Sequence, residues 1–304
     1  MLLAPQTGPE RRALRRRREA GLLIEPYPNL FARASYWNPL PPHHKTLHAM
    51  RGLQQLHPSW TFCCQSAAAA YGLPVASWHL KQLHLALPRH TARQPREGIS
   101  YHRLGQWEVT SAAGVRATTL EQTVLDCACT LPRCDALAIA DAALRLYDID
   151  RERLERHALA VGRGRRGIAG ARTVLHLATG ASESWGESYA RGMMYGLGFA
   201  SPELQVEFAL PPHLGGTRRV DFLWRLPDGG IVIGEFDGKG KYQADGAVDL
   251  DAFYRERQRE SRLSITGARI VRFGFDDLRD PERFERLLLA YGVPRAASAP
   301  MPGW

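Results

Sequence analysis

Three acidic residues in the last third of the chain stand in predicted buried strands, where carboxylates can do chemistry. Asp221 interrupts the apolar stretch 220–224, and Glu235 and Asp237 close the stretch 231–237. Buried carboxylates are costly unless they are paired or bind a cation. Two or three of them on one sheet face would suit bound Mg²⁺ or Mn²⁺, because these ions prefer hard oxygen ligands.

The hairpin between the two strands decides whether these acids share a face. Strand alternation places Glu235, Asp237 and, if the strand continues, Lys239 on one face. Asp221 joins them only if it pairs with an odd-numbered residue, which requires an odd-length loop, for instance 228–230. With that parity the sequence predicts a divalent-cation site. The alternative is that the acids form ion pairs with Arg218, Arg219, Lys239 and Lys241.

The elements that must position the acids form a predicted α/β unit with a mixed sheet, in a chain that is α+β overall. The expected elements are a helix over about 183–197, strands at 203–210, 218–226 and 231–237, a helix over about 250–265, a strand at 268–275 and a final helix from Pro281. Asp280 is the expected N-cap of that final helix. No glycine-rich motif for a nucleotide is present.

Asp221, followed after a hairpin by Glu235-Phe236-Asp237-Gly238-Lys239, resembles the D…(D/E)xK signature of the restriction-endonuclease-like PD-(D/E)XK fold. It is most similar to the branch related to very-short-patch-repair endonucleases. The further matching positions are Glu187-Ser188 with Arg191, 196–197, 202–205, 220–224, 235–242, Glu256, Arg259, Leu263, Gly267 and Val271-Arg272. The resemblance covers about a third of the chain, roughly 186–289, and implies an αβββαβ core.

The resemblance also implies roles for individual residues. Asp221, Glu235 and the Phe236 carbonyl would hold Mg²⁺ or Mn²⁺ as cofactor, with Asp237 as a candidate further ligand and Glu187 contributing from the first helix. Lys239 would orient the attacking water. The second candidate for this role is Lys241 with Tyr242. Alternatively, Lys239 and Lys241 simply contact phosphate. Asp237 stands where the pattern expects its lysine, so the group that activates the water is Lys239 or Lys241, a second metal ion, or absent.

Net charge favours a polyanionic partner. Lysine and arginine number 40 against 31 acidic residues, a formal net charge of +9, and basic proteins attract nucleic acid. The predicted helix after the site carries arginines on one face, which could follow a DNA backbone or be neutralised by Glu256 and Glu260. A second cluster of arginines, flanked by glycines, could also bind phosphates or simply lie in an exposed loop. These candidates are Arg255, Arg259 and Arg262 on the helix and Arg163, Arg165 and Arg166 in the loop.

The first two thirds of the chain are predicted to be mostly helical with short strands. Residues 1–45 form a basic segment with a helix ending near Gly21 and a strand at 29–37, which is either a partial winged helix or the start of a disordered tail. Helices are expected from Thr46 and over 63–72, strands at 81–90 and 99–104, and a helix capped by Thr118 or Thr119. The expected segments are 1–45, 46–180, 181–293 for the endonuclease-like domain and a tail at 294–304.

Two stretches in the second segment, QSAAAAYGLPV and TTLEQTVLDCA, are similar to actinobacterial proteins that resemble AbiEi-type antitoxins. That similarity implies a toxin–antitoxin or defence partner protein. The five cysteines match no zinc-finger spacing and are interpreted as reduced, mostly buried thiols. The histidines at 79, 84, 90 and 102 are interpreted as surface or satisfied core residues rather than metal ligands.

The sequence therefore favours a cytoplasmic, Mg²⁺-dependent DNA endonuclease or nickase. The alternative is a non-catalytic DNA-binding regulator or antitoxin-like protein with a decayed nuclease core. The sequence does not distinguish an RNA-directed nuclease of the same fold from the DNA endonuclease. A membrane partner is not expected, because no stretch of about 20 apolar residues occurs.

Overall fold

The computed structural model describes residues 2–92, 94, 96–105, 107–209, 217–238, 267–298 and 300. These residues form an α+β protein, as expected from the sequence. The chain divides into two compact units, Met1–Leu131 with Glu152–Ile168 and Pro132–Arg151 with Ala169–Trp304. Among the described helices, none has the length and apolar character needed to cross a membrane.

The first unit contains helices and short strands. Its elements are α1 (Gly8–Glu19), β1 (Ile24–Tyr27), β2 (Leu30–Ala32), α2 (Ala34–Trp37), α3 (Pro42–Leu56), α4 (Cys64–Ala70), a 3₁₀ turn (Ser77–His79), β3 (Leu83–Pro88), β4 (Ile99–Leu104), β5 (Val109–Ala112), β6 (Val115–Thr118), α5 (Leu120–Thr130) and α7 (Arg151–Val161) after its first residue. The strands β3 and β4 pair in parallel, and β5 and β6 form a hairpin. Phe62 bridges Leu85 of β3 and Ala117 of β6.

The N-terminal segment matches its prediction only in part. The basic helix is present as α1, with a Thr7–Glu10 capping box at its start. The strand predicted over 29–37 is wrong beyond Ala32, because the chain turns into the short helix α2. That helical turn brings Trp37 onto the same core as Leu30.

The cap predicted at the start of α5 has the expected position but not the expected side-chain hydrogen bond. Thr119 is the N-cap residue, but its side chain makes no capping hydrogen bond. The Thr118 hydroxyl lies 2.8 Å from the Thr123 hydroxyl, and the side-chain amide of Gln122 donates to the Asp126 carboxylate at 2.6 Å. Both side chains therefore bond within the core instead of to the helix terminus.

The second unit contains a four-stranded mixed sheet. Its elements are α6 (Arg133–Leu146), α8 (Ile168–Leu177) after its first residue, α9 (Trp185–Gly196), β7 (Glu203–Ala209), β8 (Thr217–Arg225), β9 (Ile231–Asp237), β10 (Arg269–Gly274), α10 (Phe275–Leu278) and α11 (Pro281–Ala290). The strand order is β10-β9-β8-β7, with β9 and β10 parallel and the other two pairs antiparallel. The helix predicted over 250–265 lies outside the described residues.

A buried ion pair joins two helices of the second unit. Arg191 of α9 donates to both oxygens of Asp141 of α6, at 2.9 and 2.8 Å, and to the Leu177 carbonyl at 2.7 Å. Asp141 also accepts from the Thr179 amide at 2.8 Å. Because a buried charge is stable only when it is paired and hydrogen-bonded, this cluster fixes α9 relative to α6.

Candidate functional site: a carboxylate cleft in the second unit

The hairpin has the parity that the site requires. Phe222 pairs with Gly234 and Leu223 with Ile233, so the same register places Asp221 opposite Glu235. The turn closes through a 2.8 Å bond from the Leu226 amide to the Gly230 carbonyl, leaving the three-residue loop 227–229. The loop has odd length, as expected, but begins one residue earlier than the example given from the sequence. Asp221 and Glu235 consequently line the same cleft.

Glu187 joins them from the first turn of α9. It is only 8% exposed, and the Ser184 side chain caps this helix by accepting from the Glu187 amide at 3.2 Å. The carboxylate of Glu187 accepts from the Ser184 hydroxyl at 2.7 Å and from the Glu183 amide at 2.8 Å. The helix approaches β9 closely at Gly186, where a Cβ would collide with the Phe236 ring.

Gln205 links the two acids and was not predicted as a site residue. Its side-chain amide nitrogen lies 3.0 Å from Oε2 of Glu187 and 3.3 Å from Oδ1 of Asp221. Its φ of 51° is in the left-handed region, which a non-glycine residue rarely occupies. Such conformations concentrate at functional sites. The one sequence signal was its place in the stretch 202–205 of the nuclease-like pattern.

The two acids are close enough to affect each other electrostatically. Burial raises the pKa of Glu187, and the nearby Asp221 raises it further, while the hydrogen bonds from Glu183, Ser184 and Gln205 oppose the shift. Asp221 is held in turn by the Phe236 amide, which donates to its Oδ2 at 2.9 Å. The cleft therefore gathers carboxylate oxygens in a position that a divalent cation would stabilise.

Ion pairing with arginine accounts for two other acids near the cleft. Asp237 lies 3.7 Å from Arg272 of β10, and Glu183 lies 2.8 Å from Arg219. The described lining of the cleft includes Glu235 and Glu187 but not Asp237. Six further predicted site residues lie outside the described residues: Lys239, Lys241, Tyr242, Arg255, Arg259 and Arg262.

The loop arginines predicted to bind phosphate have different surroundings. Arg163 and Arg166 are exposed. Arg165 donates to Asp126 at 2.6 Å, and the side chain of Asp126 is 0% exposed. Arg165 therefore has a structural partner within the first unit, whereas its two neighbours face solvent.

Comparison with known proteins identifies part of the chain. Residues 60–177 match the family model of the AbiEi antitoxin C-terminal domain. Two relatives from Mycobacterium tuberculosis, the uncharacterised proteins MT2308 (strain CDC 1551 / Oshkosh) and Rv2248 (strain ATCC 25618 / H37Rv), are each 35% identical to this chain over 217 residues. The similarity covers 71% of this chain and 75% of each relative.

Proposed function

We propose that this chain is an antitoxin-like, DNA-binding regulator. The chain belongs to the family of the mycobacterial MT2308 and Rv2248 proteins, and it contains an AbiEi antitoxin C-terminal domain. The domain match over residues 60–177 is the observation that carries the proposal. An antitoxin-type domain implies a toxin or defence protein as partner.

The N-terminal helix supports DNA as a second partner. None of the residues of α1 is buried, and its six arginines lie between Arg11 and Arg18. Arg18 pairs with Glu25 of β1, which links the helix to the following hairpin. Arg12 and Arg16 are exposed and one helical turn apart, so both can reach phosphates on one side of a duplex.

Salt-dependent DNA binding tests this part of the proposal. Fluorescence anisotropy with duplex DNA at several salt concentrations gives the slope of log K against log salt. Replacing Arg12 and Arg16 by alanine should reduce the magnitude of that slope by about 2, close to one per lost phosphate contact. The matched control is Arg279→Ala with Arg286→Ala, which removes two exposed, ion-paired arginines elsewhere. An equal loss in both double variants would contradict a role for α1.

A growth assay tests the protein partner. Each gene adjacent to the gene for this chain is expressed alone and then together with the chain. The expected result is that one neighbour arrests growth and that this chain relieves the arrest. Failure of the chain to relieve any arrest would contradict the antitoxin proposal and leave the DNA-binding result unaffected.

The carboxylate cleft favours a second candidate function, a metal-dependent nuclease. The supporting observation is that Asp221 and Glu235 line the same cleft, where the β8–β9 register continued by one residue sets them opposite each other, with Glu187 connected to Asp221 through Gln205. The oxygen donors fit Mg²⁺ or Mn²⁺, and Asp221, Glu235 and Glu187 would hold the ion. A bound divalent cation polarises the phosphodiester and stabilises charge on the leaving oxygen.

The residues of the chain would position the reaction in this second candidate. Gln205 keeps the carboxylates of Glu187 and Asp221 at fixed separation by donating to both. The resemblance to PD-(D/E)XK nucleases assigns Lys239 to orienting the attacking water. Asp237, which stands where that family has its lysine, faces Arg272, and this departure favours the non-catalytic alternative.

A cleavage assay separates the two candidates. Supercoiled DNA, linear DNA and single-stranded RNA are incubated with the purified protein in Mg²⁺, Mn²⁺ or EDTA, beside Asp221→Ala and Glu235→Ala. The matched control is Glu203→Ala, an exposed acid of β7 that pairs with Arg225. Metal-dependent cleavage that disappears only in the first two variants supports the nuclease. No cleavage, with salt-sensitive DNA binding retained by both variants, supports the regulator.

A further inference from the structure

Two adjacent cysteines and a histidine come together in the first unit, whereas the carboxylate cleft belongs to the second. The ligand atoms of Cys63, Cys64 and His102 all lie within 4.8 Å of one another. The two cysteines are 0% and 1% exposed, and His102 is partly buried. Thiolate sulfur and imidazole nitrogen are the donors that Zn²⁺ prefers in proteins.

The backbone holds the two cysteines in place. Cys63 is the N-cap of α4 and makes no side-chain capping bond, while its amide donates to the His84 carbonyl at 3.0 Å. Cys64 has a φ of 50°, in the left-handed region. A non-glycine residue held in this conformation is strained, and such strain is typical of functional positions.

A second histidine supports the first. Nδ1 of His84 lies 2.8 Å from Nε2 of His102, in the adjacent parallel strand. A hydrogen bond to the second ring nitrogen of a metal-ligating histidine orients the ring.

We propose that Cys63, Cys64 and His102 bind one Zn²⁺ ion, with His84 as the residue that orients His102. Binding replaces the two thiol protons, which leave to solvent, so two thiolates balance the charge of the ion. Three protein ligands leave a fourth position for a water molecule. The site lies within residues 60–177, so it belongs to the AbiEi-like part of the chain and is independent of the cleft at Asp221.

Native mass spectrometry and cobalt substitution test the proposal on the full chain. The protein is stripped with EDTA, returned to metal-free buffer and titrated with Zn²⁺ or Co²⁺. The expected mass increase is one zinc less two protons, and Co²⁺ should produce thiolate-to-cobalt charge-transfer absorption. Cys63→Ser and His102→Gln should lose both signals, and His84→Asn should weaken metal binding about 10–100-fold.

Matched controls keep the result specific. Cys134→Ser and His90→Gln, which change the same residue types elsewhere, should keep stoichiometry and absorption, and Asp221→Asn should keep the cobalt–thiolate bands. Circular dichroism verifies that each variant folds. If Cys63→Ser does not fold, the loss of metal binding is tested with His102→Gln alone. A protein that binds neither metal overturns the proposal. A mass lower by two hydrogens that Cys134→Ser keeps and Cys63→Ser loses also overturns it, because it indicates a disulfide at Cys63.

Discussion

Replacing Arg165 by methionine should destabilise the first unit, although Arg165 stands in a loop with two other arginines. The variant removes the 2.6 Å charged hydrogen bond to Asp126 and leaves a carboxylate that is 0% exposed. The side-chain amide of Gln122 remains as a donor to Asp126, at 2.6 Å. Breaking a buried ion pair from one side costs about 3–5 kcal/mol. Because Arg165 itself is 19% exposed, we expect a loss of about 3 kcal/mol, the lower end of that range.

The neighbouring arginine supplies the control. Arg163→Met changes an exposed side chain in the same loop and should alter the free energy of unfolding by no more than about 0.5 kcal/mol. Urea denaturation, followed by hydrogen exchange of the α5 amides, assigns the loss to the first unit. A loss of about 3 kcal/mol lowers Tm by about 6–12 °C in a unit of this size.

The pH dependence of the variant has a definite sign. Burial raises the pKa of Asp126, and Arg165 opposes that rise, so removing Arg165 raises this pKa further. Between the unfolded value of about 3.9 and the folded pKa, the folded variant binds more protons than the unfolded chain. Stability of Arg165→Met should therefore increase as pH falls through the folded pKa and decrease as pH rises through it.

A second substitution isolates the charge. Asp126→Asn combined with Arg165→Met removes the uncompensated carboxylate and should recover most of the lost stability, with little pH dependence left. A loss in Arg165→Met below about 1 kcal/mol, the net contribution of an ordinary hydrogen bond, would refute the reasoning. An equal loss in Arg163→Met would refute it as well.

Three further predictions concern the second unit. Asp221→Asn removes a charge that raises the pKa of Glu187, so carbon NMR of labelled glutamates should show this titration moving to lower pH, and an unmoved titration would contradict the coupling. Gly186→Ala places a Cβ against the Phe236 ring and should cost about 1–3 kcal/mol by urea denaturation; an unchanged stability would mean that the helix does not pack so closely. Asp280→Ala removes the N-cap of α11 and should cost about 1 kcal/mol in the same assay, whereas Asp280→Ser should retain most of that stability.

Local patterns predicted much of the second unit. Alternating apolar residues indicated the strands that appear as β7, β8, β9 and β10, and Asp280 followed by Pro281 indicated the start of α11. The condition for parity was also accessible, because cross-strand partners share a face and only an odd-length loop brings Asp221 opposite Glu235. Whether the loop meets that condition stayed open at the level of the sequence. The loop position depended on the Leu226–Gly230 closure, which residue types alone did not select.

Contacts between distant residues escaped the sequence analysis. Nothing local indicates that Arg165 meets Asp126, since the two are 39 positions apart. Three of the five cysteines are buried and none forms a disulfide, as the sequence analysis expects, but their spacing gives no sign that His102 lies beside Cys63 and Cys64. In each case the partner comes from a separate element, so the contact requires the tertiary arrangement.

The sequence by itself determined the strands β7 to β10, the helices α9 and α11, the acidic character of the cleft and the basic net charge, because these follow from residue pattern, capping and composition. Only the tertiary structure decided which acids converge. The left-handed backbone of Gln205 and the close approach at Gly186 bring Glu187 to Asp221, and Arg272 lies beside Asp237. The physical reason is that strand register and helix packing set the distances between residues far apart in the chain. Register and packing depend on contacts throughout the core, which local sequence patterns do not specify.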